Sequence, residues 1–177
     1  MRLLSIIGLG CAAALIAALP LEAQSPVADA LRAATGRAAR NLPAAADEMP
    51  ADKFGFKPTA AQMTFGELVL HVAGSNARLC SWISGIQAPD LPALAPTDPK
   101  DKLLARLGET FTYCTSALAA LDDSKLADSV PFFGGRKVTR AAAMLALAGD
   151  WADHYSQAAI YLRLNGLLPP TARRDGM

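Results

Sequence analysis

Four stretches of this 177-residue chain repeat apolar side chains at helical spacing, and each is bounded by residues that start or stop a helix. Ser25-Pro26 opens the first, with an N-cap followed by proline at the first helical position. Val27, Leu31, Ala34, Ala38 and Leu42 form its stripe. Pro43 is predicted to kink or locally break it, since proline has no N–H and clashes with the preceding turn. Thr64-Phe65-Gly66-Glu67 is a capping-box sequence that starts a second helix, predicted to end at Gly85. Asp98-Pro99 starts a third by cap logic, with Leu103, Leu104, Leu107, Phe111, Cys114, Leu118 and Leu121 as its apolar face. The fourth runs from about Thr139 to Leu164, where Asn165-Gly166 and then Pro169-Pro170 stop it. Residues 128–138 are turn-rich, with room for two very short extended pieces around Gly134-Gly135. Helices of this length and number predict an all-α fold, an antiparallel four-helix bundle over residues 24–170. Residues 171–177, with Arg173-Arg174, read as a solvated C-terminal tail.

Residues 1–23 (MRLLSIIGLGCAAALIAALPLEA) belong to a different class of segment. Arg2 supplies a positive start, Leu3 to Leu19 an apolar run, and Leu21-Glu22-Ala23 a cleavage region ending in a small residue. This is the pattern of a signal peptide, predicting export and cleavage before Gln24. An uncleaved membrane anchor and lipidation at Cys11 are the weaker alternatives. No second apolar run of membrane length follows, so the mature domain is not expected to insert stably in a membrane.

The remaining composition excludes more than it assigns. Lys+Arg and Asp+Glu nearly balance at 17 and 16, without a basic run, which argues against nucleic-acid binding. No CxxC pair, GxSxG elbow or glycine-rich phosphate loop is present. Chemistry that needs histidine has only two to draw on, His71 and His154. Asp150 precedes His154 by four residues, which puts both side chains on one helix face. That face continues as Ala143, Leu147, Asp150, His154, Gln157 and Tyr161, apolar at its start and so predicted to point inward. A carboxylate and an imidazole there need partners. A divalent ion (zinc, nickel, manganese or iron) would satisfy both, with His71 from a facing helix as third ligand and open positions for a small-molecule substrate. The alternative is a local Asp150–His154 ion pair with an unrelated His71, in a metal-free small-molecule-binding or interaction module. A homodimer through an apolar helix face is a further reading.

Cys80 in the second helix and Cys114 in the third are open to two readings: a disulfide permitted by export, or two separate buried thiols. Trp82, Trp151 and Phe132-Phe133 read as core or loop-anchoring aromatics. Asp153 and Tyr155 read as exposed or interfacial.

Three segments carry a family resemblance: residues 37–50 (RAARNLPAAADEMP), 56–74 (FKPTAAQMTFGELVLHVAG) and 154–170 (HYSQAAIYLRLNGLLPP). The chain resembles the DinB-like family of metalloenzymes over nearly all of its mature length. The resemblance implies an up-down-down-up bundle. It also implies a divalent metal held by one histidine of helix two and two ligands four residues apart on helix four. Carried over by position, these are His71, Asp150 and His154, with Asp150 standing where the family usually has histidine. Gln157, on the same stripe, is then placed to orient a ligand or substrate. Some family members transfer a low-molecular-weight thiol and others are regarded as hydrolases, so the implied activity is metal-dependent hydrolysis or thiol transfer.

Overall fold

The computed structural model describes residues 25–173. The predicted signal peptide, Cys11 and Arg174 lie outside the described residues. Four long helices account for most of the rest: α1 (Pro26–Glu48), α2 (Phe65–Ser84), α3 (Lys100–Leu118) and α4 (Arg140–Leu164). Between α3 and α4 a two-stranded hairpin pairs β1 (Ser129–Pro131) with β2 (Lys137–Thr139), Val130 opposite Val138. Among the described residues, no helix is long and apolar enough to cross a membrane.

Helix directions follow from the side chains that join them. Asn76 and Thr110 meet between α2 and α3, and so do Cys80 and Cys114, at the same offset of 34 residues. These two helices therefore run parallel, and residues 85–99 must cross back along the bundle. The Arg140 guanidinium donates to the Ile83 carbonyl at one end of α4, and the Tyr161 hydroxyl donates to the Met63 carbonyl at the other (2.8 Å), so α2 and α4 are antiparallel. The start of α1 lies beside Asp123, just before the hairpin, while Glu48 at its end pairs with Arg173 beyond α4. The order is up-down-down-up. Leu31, Leu42, Leu68, Leu79, Leu107 and Leu147 are among the residues that fill the shared core.

Local starts and stops agree with the sequence reading in part. The Thr64–Glu67 capping box forms: Thr64 N–H donates to the Glu67 carboxylate at 2.6 Å and Glu67 N–H to the Thr64 hydroxyl at 3.2 Å. Gly85 ends α2 in the left-handed region (φ +77°). Ser25 does not cap α1. The Asp123 carboxylate does so from elsewhere in the chain, accepting from the Val27 and Ala28 N–H groups at 3.0 and 2.9 Å. A full negative charge at a helix N-terminus is the stronger partner. Ser25 instead accepts from the Asp123 N–H (3.3 Å). Asp98 likewise turns away from α3 and accepts from Ala95 N–H at 2.8 Å. The break expected at Pro43 does not occur, and α1 continues through it to Glu48. Burial of Leu42, Ala45 and Ala46 around the proline outweighs the hydrogen bond it removes. Leu121, assigned to the third helix's stripe, lies beyond its end at Leu118.

The crossover seats on α2 at Gly66, where a Cβ would collide with the Pro96 carbonyl oxygen. The tail is not wholly solvated: Thr171 N–H donates to the Tyr155 hydroxyl (3.1 Å), which donates to the Thr171 hydroxyl (2.8 Å), and Arg173 pairs with Glu48.

Candidate metal centre

The bundle brings His71, Asp150 and His154 together. His71 lies in the second turn of α2, and the antiparallel α4 presents Asp150 and His154 from successive turns opposite it. One donor atom from each falls within 4.8 Å of the others. His71 Nε2 is 4.0 Å and His154 Nδ1 3.5 Å from Asp150 Oδ1. The two imidazole rings are 4.6 Å apart and inclined at 34°.

Hydrogen bonding decides what each donor can do. His154 Nδ1 lies 2.6 Å from the Asp150 backbone carbonyl, which can only accept. The proton therefore sits on Nδ1, leaving the Nε2 lone pair free for a ligand bond. This is the usual way in which a metal-binding histidine is oriented. Asp150 Oδ2 is buried and has no hydrogen-bond partner. A buried carboxylate oxygen without a partner is costly, and a divalent cation is the partner that would satisfy it. The self-contained Asp150–His154 ion pair explains the arrangement less well. The short contact of Nδ1 goes to the carbonyl rather than the carboxylate, and Oδ2 stays orphaned. Two imidazoles and one carboxylate, with an open side, fit a divalent metal centre.

The open side is at His71, whose side chain is 46% exposed against 19% for Asp150 and 8% for His154. Burial lowers the pKa of His71, and the His154 and Arg78 charges push the same way against the attraction of Asp150. The neutral, ligating imidazole therefore persists to lower pH than usual. Burial raises the pKa of Asp150 despite the two imidazoles and the Ser75 hydroxyl nearby. Desolvation, with the Asp153 charge, outweighs those attractions.

A buried polar cluster holds α4 in register against α2. Asn76 is fully buried; its amide donates to the Thr110 hydroxyl (3.2 Å) and its carbonyl accepts from the Trp151 indole (2.7 Å). Thr110 donates in turn to the Leu107 carbonyl (3.0 Å). Trp151 follows Asp150 directly, so this cluster fixes where the carboxylate stands relative to His71. Sequence reasoning treated Trp151 as core and missed Asn76 and Thr110. The available signal was an asparagine, a modest helix former, inside the apolar run around Val72 and Leu79.

Gln157 does not join the three ligands. Its amide donates to Asp153 at 3.0 Å, one turn back, where a local partner competes for it. Asp153 is exposed as expected, whereas Tyr155 is half-buried, packs against the core and bonds the tail at Thr171. Cys80 and Cys114 face each other across α2 and α3 with sulfurs at bonding distance and Cα atoms 5.4 Å apart. Trp82 packs against Phe133 of the hairpin at 5.1 Å. A cavity of about 380 Å³ lies on a neighbouring face of α2, between α3 and the crossover, and contains none of the three candidate ligands.

Fold and site together define an up-down-down-up helical bundle with a His–Asp–His candidate metal centre between its second and fourth helices. The chain belongs to the DinB superfamily, whose sequence model matches residues 34–158. It is similar in fold to the crystal structure of a DinB-like protein from Bacillus subtilis (TM-score 0.64, 21% identity, covering 82% of this chain and 99% of that one). It is also similar to a conserved protein from Enterococcus faecalis (TM-score 0.60, 18% identity, 78% and 96% covered). No curated protein matches the chain significantly.

Proposed function

We propose that the protein is an exported metal-dependent hydrolase whose divalent ion is held by His71, Asp150 and His154. The observation that carries this reading is the buried, partnerless Asp150 Oδ2 beside two imidazoles. When bound, a divalent ion supplies Lewis acidity and lowers the pKa of water or a thiol entering the open position. The residues do the rest. The Asp150 carbonyl holds the His154 proton on Nδ1 and keeps Nε2 available. Asn76 and Trp151 hold the carboxylate in register, and the exposed edge of His71 borders the route by which a substrate arrives. Water is favoured over thiol as nucleophile, because low-molecular-weight thiols are scarce in an oxidising export compartment. Export is supported by the character of residues 1–23 and by the facing of Cys80 and Cys114.

Elemental analysis of the purified mature protein tests the centre. About one equivalent of divalent metal is expected in the wild type and loss of it in His154→Ala. A native-state ligand must also raise the melting temperature. Near-zero metal in both proteins, with no shift on adding zinc, nickel or manganese, would sink the reading in favour of a metal-free binding module. N-terminal sequencing tests export, with a start at Gln24 expected and a start at Met1 contradicting cleavage.

A further inference from the structure

Next to the three candidate ligands, the same face of α2 carries a cation that makes no ion pair among the described residues. Arg78 follows His71 by seven residues, two helical turns, so both side chains project to one side. Helical side chains lean toward the N-terminus, and Arg78 does so: its Nη2 comes within 3.6 Å of where a Cβ would stand on Gly74. Gly74 is three residues, about 4.5 Å of helix rise, beyond His71. The guanidinium thus sits about one turn from the open side of the candidate centre. Its carbon lies 5.7 Å from the ring centre of Phe133, which reaches over from the hairpin and packs edge-on against Trp82. That cation–π contact holds the guanidinium beside the ring, and its N–H donors make no hydrogen bond among the described residues. Among the described residues Arg78 makes no ion pair within 4.0 Å, as is also true of Arg37, Arg40, Arg136 and Arg163; what sets it apart is its place beside His71 and against Phe133.

We propose that Arg78, Phe133 and Trp82 form the anchoring subsite for substrate: Arg78 takes an oxyanion, carboxylate or phosphate, and the two aromatic rings take the flat apolar group that bears it. A planar guanidinium matches both anions bidentately. The distance of about one turn leaves the remainder of a small molecule over His71, Asp150 and His154. The substrate class is therefore a small organic anion with an apolar body. This inference rests on the metal-centre reading, and the two can fail separately.

Calorimetric titration of the zinc-loaded mature protein with benzoate and with phenyl phosphate, benzyl alcohol serving as neutral control, tests it. For at least one anion, Arg78→Gln is expected to raise Kd by about tenfold, the loss of one charge-assisted contact. Arg78→Lys should retain part of the affinity, zinc content should stay unchanged, and benzyl alcohol should be indifferent to the substitution. Which anion weakens more identifies carboxylate or phosphate as the natural group. With zinc uptake intact, absence of binding by both anions, or equal Kd values in wild type and Arg78→Gln, overturns the subsite and leaves the metal centre standing. Failure of the wild type to take up zinc, nickel, manganese or iron overturns both.

Discussion

Replacing Asn76 with alanine should destabilise the metal-free bundle by about 2–4 kcal/mol, and the size follows from what is left behind. The substitution removes the acceptor of the Trp151 indole N–H, and Trp151 is only 3% exposed, so the N–H cannot turn to water. An orphaned buried donor costs about 1–3 kcal/mol, and the lost bond to Thr110 adds about 1 kcal/mol. Thr110 itself keeps its bond to the Leu107 carbonyl, so no second orphan donor is created. Trp151→Phe is the mirror image, leaving the Asn76 carbonyl oxygen without its partner. In the double variant neither orphan exists. The two single losses should therefore exceed the double loss by about 1–3 kcal/mol, the coupling expected of direct contacts. Urea unfolding of the four proteins in the presence of a chelator measures the cycle, provided that the m-values agree. Additivity within about 0.5 kcal/mol would refute the claim that these groups act as one unit. Because Trp151 adjoins Asp150, both single variants should also weaken metal binding although neither residue is a ligand.

Two further outcomes follow from the same geometry. Denatured, unreduced mature protein should show no reactive thiol at Cys80 or Cys114. Cys80→Ser with Cys114→Ser should cost about 3–4 kcal/mol from a closed loop of 34 residues, and two reactive thiols would exclude the bridge. The lowered pKa of His71 makes the unfolded chain, titrating near the ordinary 6.5, bind more protons than the metal-free folded state in the window just below that value. Stability is then lost as pH falls through the window. The raised pKa of Asp150 acts in the opposite sense and lower, above its ordinary 3.8. Between pH 7 and pH 5 the metal-free wild type should lose more melting temperature than His71→Asn; equal losses would contradict the assignment.

The fold was legible where the signal was local. The Thr64–Glu67 box, the Gly85 stop and the i,i+4 placement of Asp150 and His154 each depend on residues a turn apart, and all form as read. The errors share a different origin. Ser25 looks like a cap until Asp123 arrives from another connection, and Pro43 looks like a breaker until the burial around it is known. Gln157 was assigned by face alone, but its amide is taken by Asp153. Asn76 went unnoticed because its meaning depends on Thr110 and Trp151, which only tertiary packing brings to it. The direction of α3 relative to α2 came from the family resemblance, since helix periodicity says nothing about which way a long crossover returns.

The family resemblance puts Asp150 where a histidine ligand is usual, and substituting it tests what that departure does. A carboxylate is a harder donor than an imidazole and brings a negative charge, which narrows the penalty that manganese and other hard ions suffer against zinc. It is also short, and its Oδ1 lies 4.0 Å from His71 Nε2 while Oδ2 remains free. Asp150→His should still take up metal, because a third nitrogen donor replaces the oxygen at a half-buried position. The ratio of zinc to manganese affinity should rise by about tenfold, which needs only about 1.4 kcal/mol of donor preference. Competition against a chromophoric chelator, run separately with each ion, gives that ratio for both proteins. Asp150→Ala supplies the control, with weaker binding of both ions. If all three proteins show the same ratio and the same affinities, Asp150 is not a ligand. The orphaned oxygen would then have to be explained by something other than a metal.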